Sequence, residues 1–173
     1  MQKSDFSLKK LSIYERMSEE TTAFNAELYY KGKLVSYVKN DGRGGSHQFD
    51  AFPPATRELL NEAEKWALAQ PAHTWESHGE KHSLPYELDF LIDEFIDAEL
   101  KKKSEKKIQK RCEKAILWGV PGGSTYTEIA YKVTIAQMMA NPAWKLQLQN
   151  KVNEIKKELK PNEVFFNTNL NFA

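Results

Sequence analysis

Apolar and polar residues alternate in short runs through the first fifty residues. Leu11 and Ile13 mark the first run, and every other residue from Phe24 to Tyr30 is apolar in the second. The Lys-Gly-Lys turn at 31–33 leads into a third run at 34–38. Period-2 alternation on either side of a glycine turn is typical of a β-hairpin. The pattern therefore predicts an antiparallel β-meander.

The middle of the chain changes to helical spacing. Pro53-Pro54 is placed to open a helix, because proline at the first helical position loses no hydrogen bond. Apolar residues then recur at the helical interval, namely Leu59, Ala63 and Trp66. Pro71 ends this helix, and residues 71–85 are polar, which predicts a loop rich in histidine.

A longer helix is predicted from near Pro85 towards Lys114. Its apolar stripe is one continuous series: Leu88, Leu91, Ile92, Phe95, Ile96, Leu100, Ile108 and Cys112. The first half of this helix is acidic and the second half is basic, an order that suits the helix dipole. Two acid-first i,i+4 pairs, Asp97–Lys101 and Glu99–Lys103, are expected to form.

The last third of the chain predicts a strand pair and a capped helix. Residues 116–120 are typical of a buried strand, and residues 126–133 are its hairpin partner. Asn141 is expected to cap a helix that has Pro142 at its first position. The apolar stripe predicted to face the core comprises Trp144, Leu148, Val152, Ile155 and Leu159. Residues 164–166 predict a last strand.

These elements define an α+β fold. It has an N-terminal antiparallel β-meander, a long central helix, and a C-terminal strand pair with a capped helix. The predicted organisation is a meander at 1–50, followed by a helical region at 51–173 that includes the small C-terminal α+β unit. A single compact domain is the alternative, since 173 residues fit either arrangement.

Composition places the chain among globular proteins. Hydrophobic residues make up 40% and charged residues 28%. Cys112 is the only cysteine, which excludes an internal disulfide. No apolar run approaches the ~18 residues of a membrane span, and the N-terminal residues lack the apolar core of a signal peptide. We therefore expect a cytoplasmic protein without membrane association.

Charge is distributed unevenly along the chain, although the net charge is only +1. Residues 1–49 carry +2, residues 50–100 carry −9, and residues 101–173 carry +8. An asymmetry of this kind indicates a nucleic-acid or charged-protein partner. The alternative is that the acidic and basic parts attract each other within the fold.

The basic run at 101–114 is the main candidate binding site. It holds eight basic and two acidic residues, and on one helix these charges can follow a phosphate backbone. The predicted contacts are Lys102, Lys103, Lys106, Lys110 and Arg111. Trp118 and Tyr126 follow and are placed to stack on bases. Lysine predominates, which argues against base-specific contacts, and a solvated helix face is the alternative.

A glycine-rich loop supplies one more predicted contact. Gly42, Gly44 and Gly45 allow close approach of a ligand to the backbone, and Arg43 is placed to grip a phosphate. The spacing matches neither phosphate-binding glycine motif. The alternative is an ordinary connection that leaves a sheet.

The histidine-rich segment is a candidate metal site. His73, His78 and His82 fall within ten residues of each other, with Glu76 and Glu80 between them. Three imidazoles and two carboxylates can hold zinc with an open position. The spacing matches no established zinc motif. We therefore predict no metal and no cofactor, and the metal-dependent hydrolase of a phosphodiester or nucleotide remains an alternative function.

Two further features lie on the long helix. Asp89, Asp93 and Asp97 form an acidic stripe, which suits magnesium, a basic protein partner or plain solvation. Cys112 has basic neighbours, which lower a thiol pKa. Its place in the apolar stripe nevertheless predicts a buried structural thiol.

Residues 8–49 carry a resemblance. The segments Leu-Lys-Lys-Leu-Ser-Ile-Tyr-Glu-Arg-Met-Ser-Glu-Glu-Thr-Thr-Ala-Phe and Lys-Asn-Asp-Gly-Arg-Gly-Gly are similar to small proteins of bacteria, their phages and mobile elements. This family has no established activity, and the resemblance covers about a quarter of the chain. It implies an accessory protein and transfers no catalytic residue.

The function predicted from the sequence is that of a non-enzymatic binding or regulatory accessory protein of phage or mobile-element type. Its expected partner is nucleic acid or a host protein bound to nucleic acid. The alternatives are the metal-dependent hydrolase and a protein–protein adaptor or inhibitor that presents the acidic face at 87–99.

Overall fold

Helices and antiparallel sheets occur together in this chain, as the computed structural model shows for residues 2–51 and 56–172. The predicted α+β class is confirmed. The chain divides into two units, Met1–Glu99 and Leu100–Ala173, and the boundary falls inside the long helix. Within the described residues, no helix combines the length and the apolar character needed to cross a bilayer.

The first unit is built on a four-stranded antiparallel meander. Its strands are β1 (Phe6–Ile13), β2 (Phe24–Tyr30), β3 (Lys33–Asn40) and β4 (Gln48–Asp50), paired in chain order. The predicted meander is confirmed, and β4 is an additional strand. It was missed because three residues are too few to show an alternating pattern.

The turn between β2 and β3 is the tightest in the sheet. Lys31 and Gly32 both have positive φ, at 47° and 76°, as a two-residue hairpin turn of the mirror-image type requires. The alternation in β2 then places one set of residues on the core side, where they are buried: Phe24, Ala26, Leu28 and Tyr30.

Two helices complete the core of the first unit. In α1 (Thr56–Leu68), Leu60, Ala63 and Ala67 are buried, and the helix packs against β3. The predicted Pro53-Pro54 helix start lies outside the described residues. The long helix α2 runs over Leu88–Cys112, and its first half buries Leu88, Leu91, Ile92 and Ile96.

The prediction of a loop at residues 71–85 is wrong. This segment forms a β-hairpin of β5 (His73–Ser77) and β6 (Glu80–Leu84), joined by a turn at His78-Gly79 with φ of 54° and 80°. Most of its side chains are exposed. A hairpin with so few buried residues lacks the apolar alternation by which strands are recognised.

The second unit is built around a central strand. β7 (Ala115–Gly119) pairs with β8 (Thr127–Ala130) on one side and with β9 (Val164–Phe165) on the other. The predicted strand pair is therefore part of a three-stranded sheet. Two helices follow β8, the short α3 (Ile135–Ala140) and the predicted α4 (Pro142–Glu158).

Apolar residues cover both faces of β7. Ile116 belongs to a cluster with α3 and α4 that includes Leu148 and Val152. Ala115 and Leu117 pack instead with Cys112 at the end of α2. A strand buried on both faces appears in sequence as a continuous apolar run, and residues 116–120 have this pattern.

Helix α4 has the predicted cap but not the full predicted stripe. The Asn141 side chain accepts hydrogen bonds from the backbone N–H groups of Ala143 and Trp144. Leu148, Val152 and Ile155 are buried as predicted. Trp144 is 42% exposed, so its predicted place in the core is wrong. It lies in the first turn of the helix, before the first buried position.

The single apolar stripe predicted along α2 is also wrong. At ~100° per residue, Cys112 lies roughly 160° around the helix from Ile96. The buried residues of the first half and those of the second half therefore form two separate stripes. Leu100 lies between them and is only half-buried.

Candidate nucleic-acid interface

Five lysines share one side of α2 in the second unit. At ~100° per residue they span about 140° of the helix circumference, centred roughly half a turn from Ile108 and Cys112. All are exposed, and we call them the lysine face: Lys102, Lys103, Lys106, Lys107 and Lys110. Because Ile108 and Cys112 pack towards β7, the remaining side of the helix is left to solvent, where lysine is tolerated.

The charges of the lysine face are not neutralised by nearby carboxylates. The expected pairs Asp97–Lys101 and Glu99–Lys103 are not formed, so that prediction is wrong. No lysine of the face makes an ion pair with any residue that the structure describes. Long side chains in water gain little from such pairing, which accounts for the difference. The lysine face therefore presents five free cations.

Arg111 differs from the lysines because it is already paired. Its Nε donates to Oε2 of Glu128 over 2.6 Å, and its Nη2 contacts Oε1 of the same carboxylate. These hydrogen bonds lower the pKa of Glu128 and raise the pKa of Arg111. The pair joins the end of α2 to β8. A phosphate at Arg111 would have to compete with Glu128 for the guanidinium.

The two aromatic residues predicted to stack on bases have different surroundings. Trp118 is half-buried and packs against the core cluster that contains Ile116. Tyr126 is 42% exposed, and its ring makes an edge-to-face contact with Phe166 at 6.5 Å between centroids. Tyr126 is therefore the available ring.

Tyr126 lines two grooves. One, of about 530 Å³, is lined by apolar and small residues that include Ile108, Gly123 and Phe166, and also by Lys101 and Glu105. The other, of about 550 Å³, is lined by charged residues. Three of these are lysines without an ion-pair partner among the described residues: Lys107, Lys110 and Lys114.

The predicted contact Arg43 lies in the first unit, on a tightly held loop. The carbonyl of Gly42 accepts hydrogen bonds from three successive backbone N–H groups, at residues 19–21. Asn40 is buried, and its Oδ1 accepts from the Gly42 N–H and from the Thr21 hydroxyl. Arg43 itself is exposed. Gly42 and Gly44 therefore serve the packing of the loop against residues 17–23.

The histidines of the candidate metal site are engaged with aromatic rings. His82 stacks on Trp75 at 5.3 Å, and His73 stacks on Phe90 at 5.0 Å. His78 occupies the turn. The segment is a hairpin, so His78 and His82 do not share a helical face. Among residues 2–51 and 56–172, no group of three or more His, Cys, Asp or Glu is arranged to hold a metal ion.

Two members of the acidic stripe hold His47, which sequence reasoning missed. The His47 backbone N–H donates to Asp89 over 2.7 Å, and its Nε2 lies 3.1 Å from Asp93. Asn40 Nδ2 donates to His47 Nδ1, so Nε2 carries the proton that is donated to Asp93. The network ties the glycine loop to α2 within the first unit. The contacts span 42 and 46 residues of sequence, so no local signal marks them.

Cys112 is buried beside Ala115 and Leu117, as predicted. Burial raises the pKa of its thiol, which opposes the effect of its basic neighbours. Two asparagines nearby fix the end of α2: the side-chain amides of Asn167 and Asn169 donate to the Cys112 carbonyl. The residue therefore has the surroundings of a structural thiol.

Comparison of the chain with protein-family models, with curated proteins and with solved structures finds no match. Any functional proposal therefore rests on the residues and geometry described above.

Proposed function

We propose that the protein is a non-enzymatic, nucleic-acid-binding accessory protein, of the kind found in phages and mobile elements. The lysine face of α2 is the surface that contacts the phosphate backbone. The single observation that carries this proposal is the arrangement of five exposed lysines on one side of one helix, none of them paired with a described carboxylate.

The chemistry of this surface suits phosphate rather than base recognition. From Lys102 to Lys110 the helix rises about 12 Å, so the ammonium groups can follow successive phosphates of one strand. Lysine binds phosphate as a point charge and lacks the forked geometry with which arginine reads guanine. We therefore expect affinity without strong sequence preference, since phosphate contacts position a protein but carry no sequence information.

Arg111 and Arg43 contribute less to binding than the lysine face in this proposal. Arg111 is engaged with Glu128, so the lysines supply most of the available charge. Arg43 lies in the other unit, and its contact with nucleic acid remains a prediction. Arg43→Ala should weaken binding only if nucleic acid reaches the glycine loop as well.

The alternative functions have less support. A metal-dependent hydrolase needs a cluster of ligands, and the hairpin histidines His73 and His82 are stacked on aromatic rings. An adaptor that presents the acidic face needs free carboxylates. Of this face, Asp89 and Asp93 hold His47, and Glu94 contacts Lys3 and the Tyr86 hydroxyl. The other three, Glu87, Asp97 and Glu99, are left without an ion pair among the described residues.

The proposal is tested by titrating fluorescently labelled DNA and RNA with the whole protein at low salt. The variant changes four residues of the lysine face to glutamine: Lys102, Lys103, Lys106 and Lys110. We expect its affinity to fall roughly tenfold or more. With fewer lysines to neutralise phosphates, the variant releases fewer condensed counterions from the backbone when it binds.

A matched control removes the same charge from the same unit at four other exposed lysines: Lys132, Lys156, Lys157 and Lys160. This control should bind nearly as well as the unchanged protein. Equal losses in the two variants would mean that net charge, and not the lysine face, governs binding. If the unchanged protein binds no nucleic acid at low salt, the proposal is wrong and a protein partner takes its place.

A further inference from the structure

We infer that the ligand is single-stranded nucleic acid, with one unpaired base stacked on Tyr126. The inference rests on the proposed function, because lysines beside Tyr126 supply the phosphate contacts. It specifies that the nucleic acid is single-stranded, and it names Tyr126 as the residue that selects single strands.

Tyr126 is built as a stacking platform. It directly precedes β8, and 42% of the residue is exposed. Its ring meets Phe166 with an angle of 86° between the planes, so this neighbour contacts it edge to face and does not cover it by parallel stacking. A ring held in this way loses little freedom when a base stacks on it. Every base has a flat π-face, so stacking on tyrosine tolerates any sequence.

The larger share of apolar surface beside Tyr126 lies in the groove that also contains Ile108 and Phe166, and this groove has room for a base. Its volume is about 530 Å³, and Ile108 and Phe166 contribute apolar surface. Gly122 and Gly123 also line it, and a Cβ at Gly122 would meet no atom within 4 Å. The lack of side chains at the turn leaves this side of the groove open.

The second groove that Tyr126 lines has the charge that a phosphate needs. Lys107 and Lys110 belong to the lysine face, and Lys114 follows the end of α2. The carboxylate of Glu128 is neutralised by Arg111, so Glu113 is the remaining acidic group in the lining. The net charge of this groove is therefore positive, which favours a phosphate backbone.

The arrangement discriminates between strands and duplexes. In a duplex the bases are stacked on each other and paired, so none is free to meet Tyr126 without an unpairing cost. An unpaired strand offers its bases at no such cost. A positively charged groove for the backbone combined with an exposed aromatic ring for a base is the combination by which non-specific single-strand binders hold their ligand.

The test compares three labelled probes at one low salt concentration: oligothymidine and oligouridine of about 20 nucleotides, and a DNA duplex of about 20 base pairs. We expect both single strands to bind more tightly than the duplex. Tyr126→Ala should weaken single-strand binding roughly 5- to 150-fold, the range measured for loss of one stacked base. Its duplex affinity should stay within about twofold, because the lysines are intact.

Two controls separate stacking from damage to the fold. Tyr126→Phe keeps the flat ring and should retain nearly all of the single-strand affinity. Tyr14→Ala removes a tyrosine that is equally exposed, at 41%, in the first unit, and should change nothing.

Two results would overturn the inference while leaving the proposed function in place. One is a duplex that binds as tightly as the single strands, and the other is Tyr126→Ala with unchanged single-strand affinity. Tight binding of only one of the two single strands would still support stacking and would show that the 2′-hydroxyl or the thymine methyl group affects binding. Absence of binding to all three probes would remove the proposed function and this inference together.

Discussion

Glu27 is a buried carboxylate on the side of β2 opposite the core residues. It accepts hydrogen bonds from Lys10 Nζ at 2.8 Å and from the Tyr29 hydroxyl at 3.1 Å, and only 6% of the residue is exposed. Lys10 has a φ of 50° at an irregularity in the β1–β2 register, which is an unfavourable conformation for a residue with a side chain. The strand irregularity and the ion pair occur at the same residue.

The Glu27–Lys10 pair makes stability depend on pH. The Lys10 hydrogen bond lowers the pKa of Glu27 from its usual 4.5, so the folded state binds its proton less readily than the unfolded state. The stabilisation is present above pH 4.5 and is lost as the pH falls through the lower folded pKa.

Glu27→Gln should therefore be less stable than the unchanged protein at neutral pH, and the difference should shrink in acid. Urea denaturation at neutral pH and at a pH well below 4.5 measures both. Glu80→Gln, at an exposed glutamate of the hairpin, is the control and should show neither effect. A loss of stability in Glu27→Gln that is the same at both pH values would contradict the Glu27–Lys10 pair.

Gly42 is the residue on which the packing of the glycine loop depends. A Cβ there would lie 2.2 Å from the Met17 carbonyl oxygen, and φ is +87°. Gly45 has a similar φ of +83° but open space at the Cβ position. Gly45→Ala should cost about 1–2 kcal/mol from backbone strain alone. Gly42→Ala should cost clearly more, because the clash is with backbone.

Thermal or chemical denaturation of the two alanine variants measures this difference directly. Equal losses of stability at Gly42 and Gly45 would show that the close contact with Met17 is not present. The glycine cluster was recognised from the sequence, but its role was not. Its partners at residues 17–23 lie about twenty positions away, and the nearby network of His47 with Asp89 and Asp93 spans more than forty.

Elements with strong local signals were predicted well from the sequence. The Asn141 cap and Pro142 fixed the start of α4, and Lys31-Gly32 fixed the turn between β2 and β3. The hairpin turn at His78-Gly79 has the same backbone conformation, yet it was missed. Its strands are exposed on most positions, so their pattern carries no apolar alternation. An apolar period arises only where one face of an element is buried. An element that buries few residues therefore leaves a weak apolar pattern in the sequence.

Helix α4 offers a direct test of which side faces the core. Leu148 is fully buried and Leu146 is 59% exposed, so one substitution can be compared at two positions of one helix. Leu148→Ala should cost ~2–5 kcal/mol, from lost burial and the cavity left behind. Leu146→Ala should change stability by no more than about 0.5 kcal/mol.

Urea midpoints of the two variants give the comparison. A Leu148→Ala midpoint equal to that of the unchanged protein would mean that this stripe does not form the core of the second unit. A large loss at Leu146 would mean that its exposed side chain is covered by a partner copy in solution.

At the scale of the whole molecule, charge is divided between the two units. The second unit carries a net charge of +8, since Leu100 is uncharged and residues 101–173 hold the basic excess. The charge difference and the lysine run could be predicted from the sequence, as could the exposure of the lysines. Their lack of carboxylate partners and the presence of Tyr126 in the lining of two grooves could not, because both depend on how α2 packs against the strands of the second unit.

The salt dependence of nucleic-acid affinity tests the central claim most directly. If three or four lysines of the face each neutralise a phosphate, the logarithm of affinity should fall with the logarithm of salt concentration at a slope of roughly −2 to −4. Changing Lys102, Lys103, Lys106 and Lys110 together to glutamine should flatten this slope clearly, and the matched control at Lys132, Lys156, Lys157 and Lys160 should keep it. A slope that is the same in both variants, or an affinity that does not depend on salt, would contradict the account.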